Sequence, residues 1–431
     1  MKKLFVFMID ALCASDIEKM KEMPNFGKII NEGSYVASLE PVWPALTYSC
    51  HTSIVTGTYV DRHTICNNEV MKRGCKPGDV WYGYKSQIKD PTILDYAREH
   101  GLTTASIAWP VSAKANYTYN WPMIVPYKYK DYDAEKYLIG NATDNLMEKY
   151  FWKYGLHQKG PDAELDRLTM SIAPDLIRDF GQPDVMFVKM CDLDTKRHMY
   201  GVYAEEAYIQ LRRHDLELGV LLESIRRYGD YENTNFVIMG DHGQTDIEDV
   251  LNINVLLKQA GFIRTDNNNV MIDCDCYAHS MALTCCIELK NPDDKVMEKK
   301  VKDFLLSLKD DKDIQLRYVY DKDEMKKHFR VAGPFDFIIE SNRDISFSDR
   351  LDRDTIWASA EPGNHKTGIA THGSRGDRKE TTLFIACGPS IKKGVVIDKA
   401  SMVDEAVTMS KMIGFEMPNT DGRILYELLN D

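Results

Sequence analysis

No apolar run in this chain is long enough to cross a membrane, and no lysine- and arginine-rich block stands along it. It also holds no internal repeat and no low-complexity tract. Acidic residues outnumber basic ones by 66 to 54, a formal net charge of −12. Such a chain is a poor candidate for wrapping a nucleic-acid duplex or coating an anionic membrane, though one phosphate in a local site remains compatible with it. The ten cysteines, at 13, 50, 66, 75, 191, 274, 276, 285, 286 and 387, form no dense frame, so reduced thiols are expected rather than disulfides. Cys274-x-Cys276 and Cys285-Cys286 lack the spacing of a zinc knuckle and read as small buried hydrophobes. Lys2 and Lys3 before Leu4–Met8 look like the start of a signal peptide. Asp10 cuts the apolar stretch short, and Leu4–Ile9 reads better as a first buried strand. The expectation is a cytoplasmic protein.

The 431 residues, 44% hydrophobic and 28% charged, suffice for a large core without staples. Short apolar runs each end in a polar cluster: Leu4–Ile9, Thr104–Ala108, Val185–Met190, Phe236–Met239 and Leu383–Ala386. Strands apolar throughout belong to a sheet covered on both faces. Helical stretches lie between them at Thr92–His100, Ala204–Tyr228 and Val403–Ile413. The alternation predicts an α/β fold with a doubly wound, mostly parallel sheet. Residues 250–362 differ: strands at Met281–Leu289, Ile314–Tyr320 and Phe335–Glu340 alternate with helices at Asp294–Leu308 and Lys322–His328. They predict a smaller α+β lid subdomain inserted into a catalytic core formed by 1–249 and 363–431, placed over the carboxyl edge of the sheet.

In doubly wound sheets ligands collect at the carboxyl ends of strands. Asp10, Asp194, Asp241 and His242 fall at or just beyond such ends, His198 follows Asp194 by one helical turn, and His372 comes late in the chain. Three carboxylates and three imidazoles suit two adjacent divalent ions, and ions about 4 Å apart can clamp both oxygens of a phosphoryl transfer. Each residue alone has a plainer reading, since an aspartate ending a strand is ordinarily a helix cap. Asp241-His242-Gly243 is more specific, because glycine permits an unusual loop backbone. Thr47 precedes a helix-like stretch, Ser49 to Thr56, ending at Gly57. It reads as a cap or, beside metal ions, as a nucleophile.

The order of these motifs resembles the alkaline phosphatase superfamily and, within it, the nucleotide pyrophosphatase/phosphodiesterase family. The resemblance rests on Asp10, Pro-Ala-Leu-Thr47-Tyr-Ser-Cys-His, Asn67-Asn68, Asp194-x-x-x-His198, Gly240-Asp241-His242-Gly243 and Thr371-His372-Gly373. It implies two zinc ions per chain, other divalent metals being compatible. Asp194, His198 and His372 would hold one ion, and Asp10, Asp241, His242 and Thr47 the other. Thr47 would be the transiently phosphorylated nucleophile and Asn68 a donor to a phosphate oxygen. The implied partner is a small phosphate ester or nucleotide; the implied reaction is hydrolysis of a phosphodiester or pyrophosphate. Tyr48-Ser49-Cys50 and Ser374-Arg375 depart from common family patterns and bear on the leaving group. His365 is a rival for the third histidine ligand. Lys196, Arg197 and Arg375 are candidate cations for a more highly charged substrate, with a solvated surface as the plainer reading. Trp43, Tyr48, Trp81 and Trp109 are candidates for stacking a base. Alternatives are a phosphonoacetate hydrolase-like enzyme, a phosphomonoesterase of the same superfamily, or an inactive phosphate or nucleotide binder.

Overall fold

Every residue of Leu4–Ile9, Val185–Met190 and Thr234–Met239 is buried, so these segments need cover on both faces. The computed structural model, which describes residues 2–76, 80–125, 134–155, 165–377 and 381–430, provides it. An eight-stranded sheet runs in the order Val396–Ser401, Ser34–Glu40, Thr382–Cys387, Thr234–Met239, Lys3–Ile9, Val185–Met190, Thr104–Pro110, Tyr119–Met123. Side chains alternate between the faces as the pleat requires. Leu4, Val6, Met8, Val185 and Phe187 enter one core, beneath the helices Thr47–Thr56, Ile93–Glu99 and Asp404–Met412. Phe5, Phe7, Ile9, Met186 and Val188 enter the other, beneath Pro24–Glu32, Leu165–Phe180 and Glu205–Tyr228.

Direction matters more than order. Lys3–Ile9 pairs in parallel with both Val185–Met190 and Thr234–Met239, in register Ile9↔Met190 and Met8↔Met239. Their carboxyl ends therefore open at one edge. Thr382–Cys387 is antiparallel to both of its neighbours, which turns Ser34–Glu40 back into the common direction. It also means Thr382–Cys387 starts at that same edge, so the loop feeding it is delivered there.

The insertion builds a four-stranded antiparallel sheet in the order Cys276–Met281, Thr284–Leu289, Phe337–Ser341, Leu316–Asp321, with a core of its own that includes Ile287, Val301, Leu305 and Phe337. The strand expected over 281–289 is Thr284–Leu289, the second arm of a hairpin in which Cys276–Met281 turns at Ala282, with φ +61°. Cys-Tyr-Ala-His-Ser-Met has no period-2 pattern because all six residues are buried. Three main-sheet strands also escaped the sequence reading. Val396–Ser401 and Tyr119–Met123 are the sheet edges, and Ser34–Glu40 lies half-buried beside one of them. The long helix Leu165–Phe180 was masked by its internal Pro174.

Gly240 sits where the sheet meets the site. A Cβ there would stand 2.6 Å from the Leu12 carbonyl oxygen and 2.9 Å from Leu12 Cβ. Gly240→Ala is expected to cost about 2 kcal/mol or more in urea denaturation, because backbone must move. A loss below about 0.5 kcal/mol would show that the loop yields freely.

Candidate active site

Asp10 follows the first strand directly, its N–H held by the Met190 carbonyl at 2.9 Å. Asp194 and His198 are one turn apart on Asp192–Tyr200, the helix after Val185–Met190, and so share a face. Asp241 and His242 follow Thr234–Met239. Thr47 is the first residue of its helix. His372 lies just past Ala370–Thr371, which pairs with Thr245–Asp246 and ties the last loop to the one after His242.

These side chains converge. Ligand atoms of Asp194, His242 and His372 lie within 4.8 Å of one another, as do those of Asp10, Asp241 and His242. His198 adjoins the first group, its Nε2 3.3 Å from Asp194 Oδ1. His242 belongs to both groups, and its ring stacks on His372 at 3.7 Å. Carbonyls only accept, so each histidine bonded to one must donate from Nδ1. His198 donates to Ala370 O at 2.7 Å, His372 to Ala45 O at 2.8 Å and His242 to Gly243 O at 3.2 Å. All three Nε2 atoms are then lone pairs available to a cation. Asp241 Oδ1 accepts from the N–H groups of Ala11 and His242, both at 3.0 Å. Asp241 Oδ2, Asp10 Oδ1 and His198 Nε2 are buried without hydrogen-bond partners. Lone-pair atoms orphaned together in this way fit a site for divalent cations.

Thr47 does not cap its helix. Leu46 occupies the N-cap position, and Thr47 Oγ1 lies 3.2 Å from His242 Nε2. Asn68 Oδ1 accepts the Tyr48 N–H at 3.0 Å, so its NH2 is what it can offer a ligand. A cavity of about 350 Å³ opens above, with Asp10, Thr47, Asp194, His198 and His372 in its lining.

The family model described as Type I phosphodiesterase / nucleotide pyrophosphatase matches residues 4–375. The chain belongs to this family. A venom phosphodiesterase of Macrovipera lebetinus is 25% identical over 257 residues, which is 57% of this chain and 26% of that one. The chain thus spans about a quarter of that relative's length. Ectonucleotide pyrophosphatase/phosphodiesterase family member 7 of Rattus norvegicus is 22% identical over 408 residues, covering 93% and 81% of the two chains. Murine ectonucleotide pyrophosphatase/phosphodiesterase 5 superposes with a TM-score of 0.70 at 16% identity, each chain covered in full. An inactive threonine-to-alanine form of it, solved in complex with AMP, superposes equally well at 15% identity. The fold is that of these type I phosphodiesterases.

All seven residues expected as metal ligands come together at one edge, and Asn68 lines the same cavity. His365 lines the cavity but joins neither ligand group; its ring packs edge-on against Trp81 at 5.2 Å. Of the four candidate aromatics, Tyr48 and Trp81 line the cavity, with ring centroids 5.3 Å apart. Trp43 is buried against the insertion, its Nε1 donating to Thr284 Oγ1 at 3.0 Å, and Trp109 packs on His51 and Phe187. Arg197, read as a surface charge, is fully buried and grips Asp16 at 2.7 and 2.9 Å. Arg375 is held by Tyr318 and Asp377. No residue of 250–362 is in the cavity lining. The insertion instead braces the last ligand loop, with Leu283 N–H donating to His372 O at 3.0 Å and Thr284 Oγ1 to Gly373 O at 2.6 Å.

Three residues at the site lie outside the expected set, His51 among them as a residue read as structural. His51 Nδ1 lies 2.7 Å from Thr47 O and 3.3 Å from Asp241 Oδ2. Gln244 Nε2 donates to Asp194 Oδ1. Lys189 donates to Asp10 Oδ2 at 2.7 Å from within the central strand. Its signal was a lysine in the run Val-Met-Phe-Val-Lys-Met, since a lysine in a fully buried strand needs a partner.

Burial and the neighbouring Asp241 push Asp10 up to about 7, and burial pushes Asp241 up to about 6. Burial drives His372 down to about 3 and also lowers His242. Burial opposes the charge on Asp194, yet the adjoining His198, when its ring is protonated, holds that carboxyl well below the usual range. With Asp10 at about 7, the metal-free site carries a proton below that pH, which an incoming cation must displace. Divalent-ion affinity is therefore expected to fall as pH drops through about 7. Calorimetry in buffers of differing ionisation enthalpy is expected to show release of about one proton or more per site near pH 6, dwindling above about pH 8. Equal proton release at both pH values would remove Asp10 from the ligand set.

Proposed function

We propose that this chain hydrolyses phosphodiester or pyrophosphate bonds of nucleotide-type substrates through a phosphothreonine at Thr47, with two divalent ions, zinc by preference. The observation that carries the reading is the Thr47 hydroxyl, free of any capping duty and 3.2 Å from His242 Nε2. It lies where the two ligand groups meet. Three histidines and three carboxylates form a donor set suited to zinc. Asp194, His198 and His372 would hold one ion and Asp10, Asp241 and His242, with Thr47, the other. Such ions, when bound, supply positive charge that acidifies a hydroxyl and offsets charge developing on phosphoryl oxygens.

The chain's own groups do the rest. Thr47 Oγ attacks phosphorus in line and the leaving group departs; water then cleaves the phosphothreonine. Asn68, oriented by the Tyr48 N–H, points its NH2 at a phosphoryl oxygen. The start of the Thr47–Thr56 helix favours negative charge there. Trp81, half-buried and backed by Tyr48, supplies an aromatic wall for a base, and the AMP complex of the structural relative supports a nucleotide as ligand class. The insertion acts as a brace that fixes His372 at the carboxyl edge of the sheet. The ten buried cysteines, none in a disulfide, support a reducing compartment such as the cytoplasm, and no helix among the described residues is long and apolar enough to cross a membrane.

Thr47→Ala is expected to keep fold and metal content while kcat falls at least about 100-fold on bis-p-nitrophenyl phosphate and on a nucleotide p-nitrophenyl ester. Thr47→Ser should retain part of the activity. Near-normal turnover in Thr47→Ala with wild-type metal content would remove the phosphothreonine. Preferential turnover of phosphonoacetate, or none on any ester, would favour the alternatives.

A further inference from the structure

Lys189 is fully buried at the carboxyl end of a central strand. Its ammonium lies 2.7 Å from Asp10 Oδ2, 2.8 Å from Cys191 Sγ and 3.9 Å from Met123 Sδ. These contacts occupy all three of its donors, and one partner is a carboxylate of the proposed ligand set. Cys191 and Met123 line the cavity and Lys189 does not. It is therefore one layer behind the wall. Among the described residues no lysine or arginine is in the cavity lining, and Lys189 brings its charge to the site from behind the wall. Phe187, two residues earlier on the same face, enters an ordinary apolar core; only at position 189 does that face of the strand carry charge.

Three carboxylates would otherwise bring three negative charges to the site, and Lys189 cancels one of them. A site that is one unit less negative binds cations less tightly and receives an additional negative charge on the substrate at lower cost. We propose that Lys189 is a positioning and specificity-determining residue that fixes Asp10 through Oδ2 and sets the charge of the site, so that dianionic phosphate ends are accepted beside diesters. The proposal rests on phosphoryl transfer at Thr47 for its substrate half, and on the Asp10–Lys189 geometry alone for its cation half.

The test compares wild type, Lys189→Met and Lys189→Gln, with thermal unfolding as the control for folding. The glutamine keeps a donor for Asp10 but carries no charge, so it separates charge from hydrogen bonding. If the methionine variant does not fold, the glutamine variant carries the test. The first readout is calorimetric titration of the chelated protein with zinc. Both variants should bind the weaker of the two ions about 10-fold more tightly than wild type. The second is kcat/KM on p-nitrophenyl phosphate against bis-p-nitrophenyl phosphate, which share a leaving group. The monoester-to-diester ratio should fall about 10-fold or more in both variants. Weaker zinc binding in the variants, or an unchanged ratio, would overturn the proposal, as would a glutamine variant that matches wild type in both. If wild type turns over neither ester, the reading of the site as a hydrolase fails, while the zinc titration still decides the charge claim.

Discussion

Three carboxylates brought together in the interior repel one another, and a folded chain tolerates this only with compensating groups in place. Asp10, Asp194 and Asp241 are such a set, and much of the surrounding structure answers to it. Backbone N–H groups of Ala11 and His242 take one oxygen of Asp241, Gln244 and His198 attend Asp194, and Lys189 takes one oxygen of Asp10. What remains uncompensated is a row of lone pairs aimed inward. A stability-optimised core would not keep them, and their retention marks the edge of the sheet as a place built for cations.

The sheet meets this constraint through strand direction. Parallel neighbours place Asp10, Asp194 and Asp241 at one edge, and the single reversed strand brings a loop with a histidine to the same place from the far end of the chain. Helices on both faces pack against the strands that carry the ligands. Thr47 illustrates the division of labour. Its backbone starts a helix, but its hydroxyl does no helix work and faces His242 instead.

Much of this was legible in the sequence because chemistry and periodicity coincided. Strands buried on both faces announce themselves as unbroken apolar runs, and polar residues directly after them stand out, which is how Asp10, Asp194, Asp241 and His242 were found. What escaped had a mixed signal. Ser34–Glu40 alternates buried and half-buried residues beside a sheet edge, and Cys276–Met281 buries tyrosine, histidine and serine alongside its apolar residues. Lys189 was hidden inside a segment that otherwise reads as pure core. Arg197 was misjudged for the converse reason: an arginine on a short polar helix looks solvated, while its partner Asp16 lies far away in sequence. The lining of a cavity depends on loops whose meeting sequence patterns do not encode, so the insertion's place behind His372 could only be seen in three dimensions.

The antiparallel strand Thr382–Cys387 has a temporal consequence. Because it carries His372 into the site from late in the chain, the ligand set is completed only after the whole insertion has been synthesised. A nascent chain ending before that point presents Asp10, Asp194 and Asp241 without their last imidazole and without the strand that pairs Ser34–Glu40 to Thr234–Met239. Contacts of such long sequence separation form late and slowly. The last imidazole thus joins the site at the closing stage of folding, when insertion and core lock together.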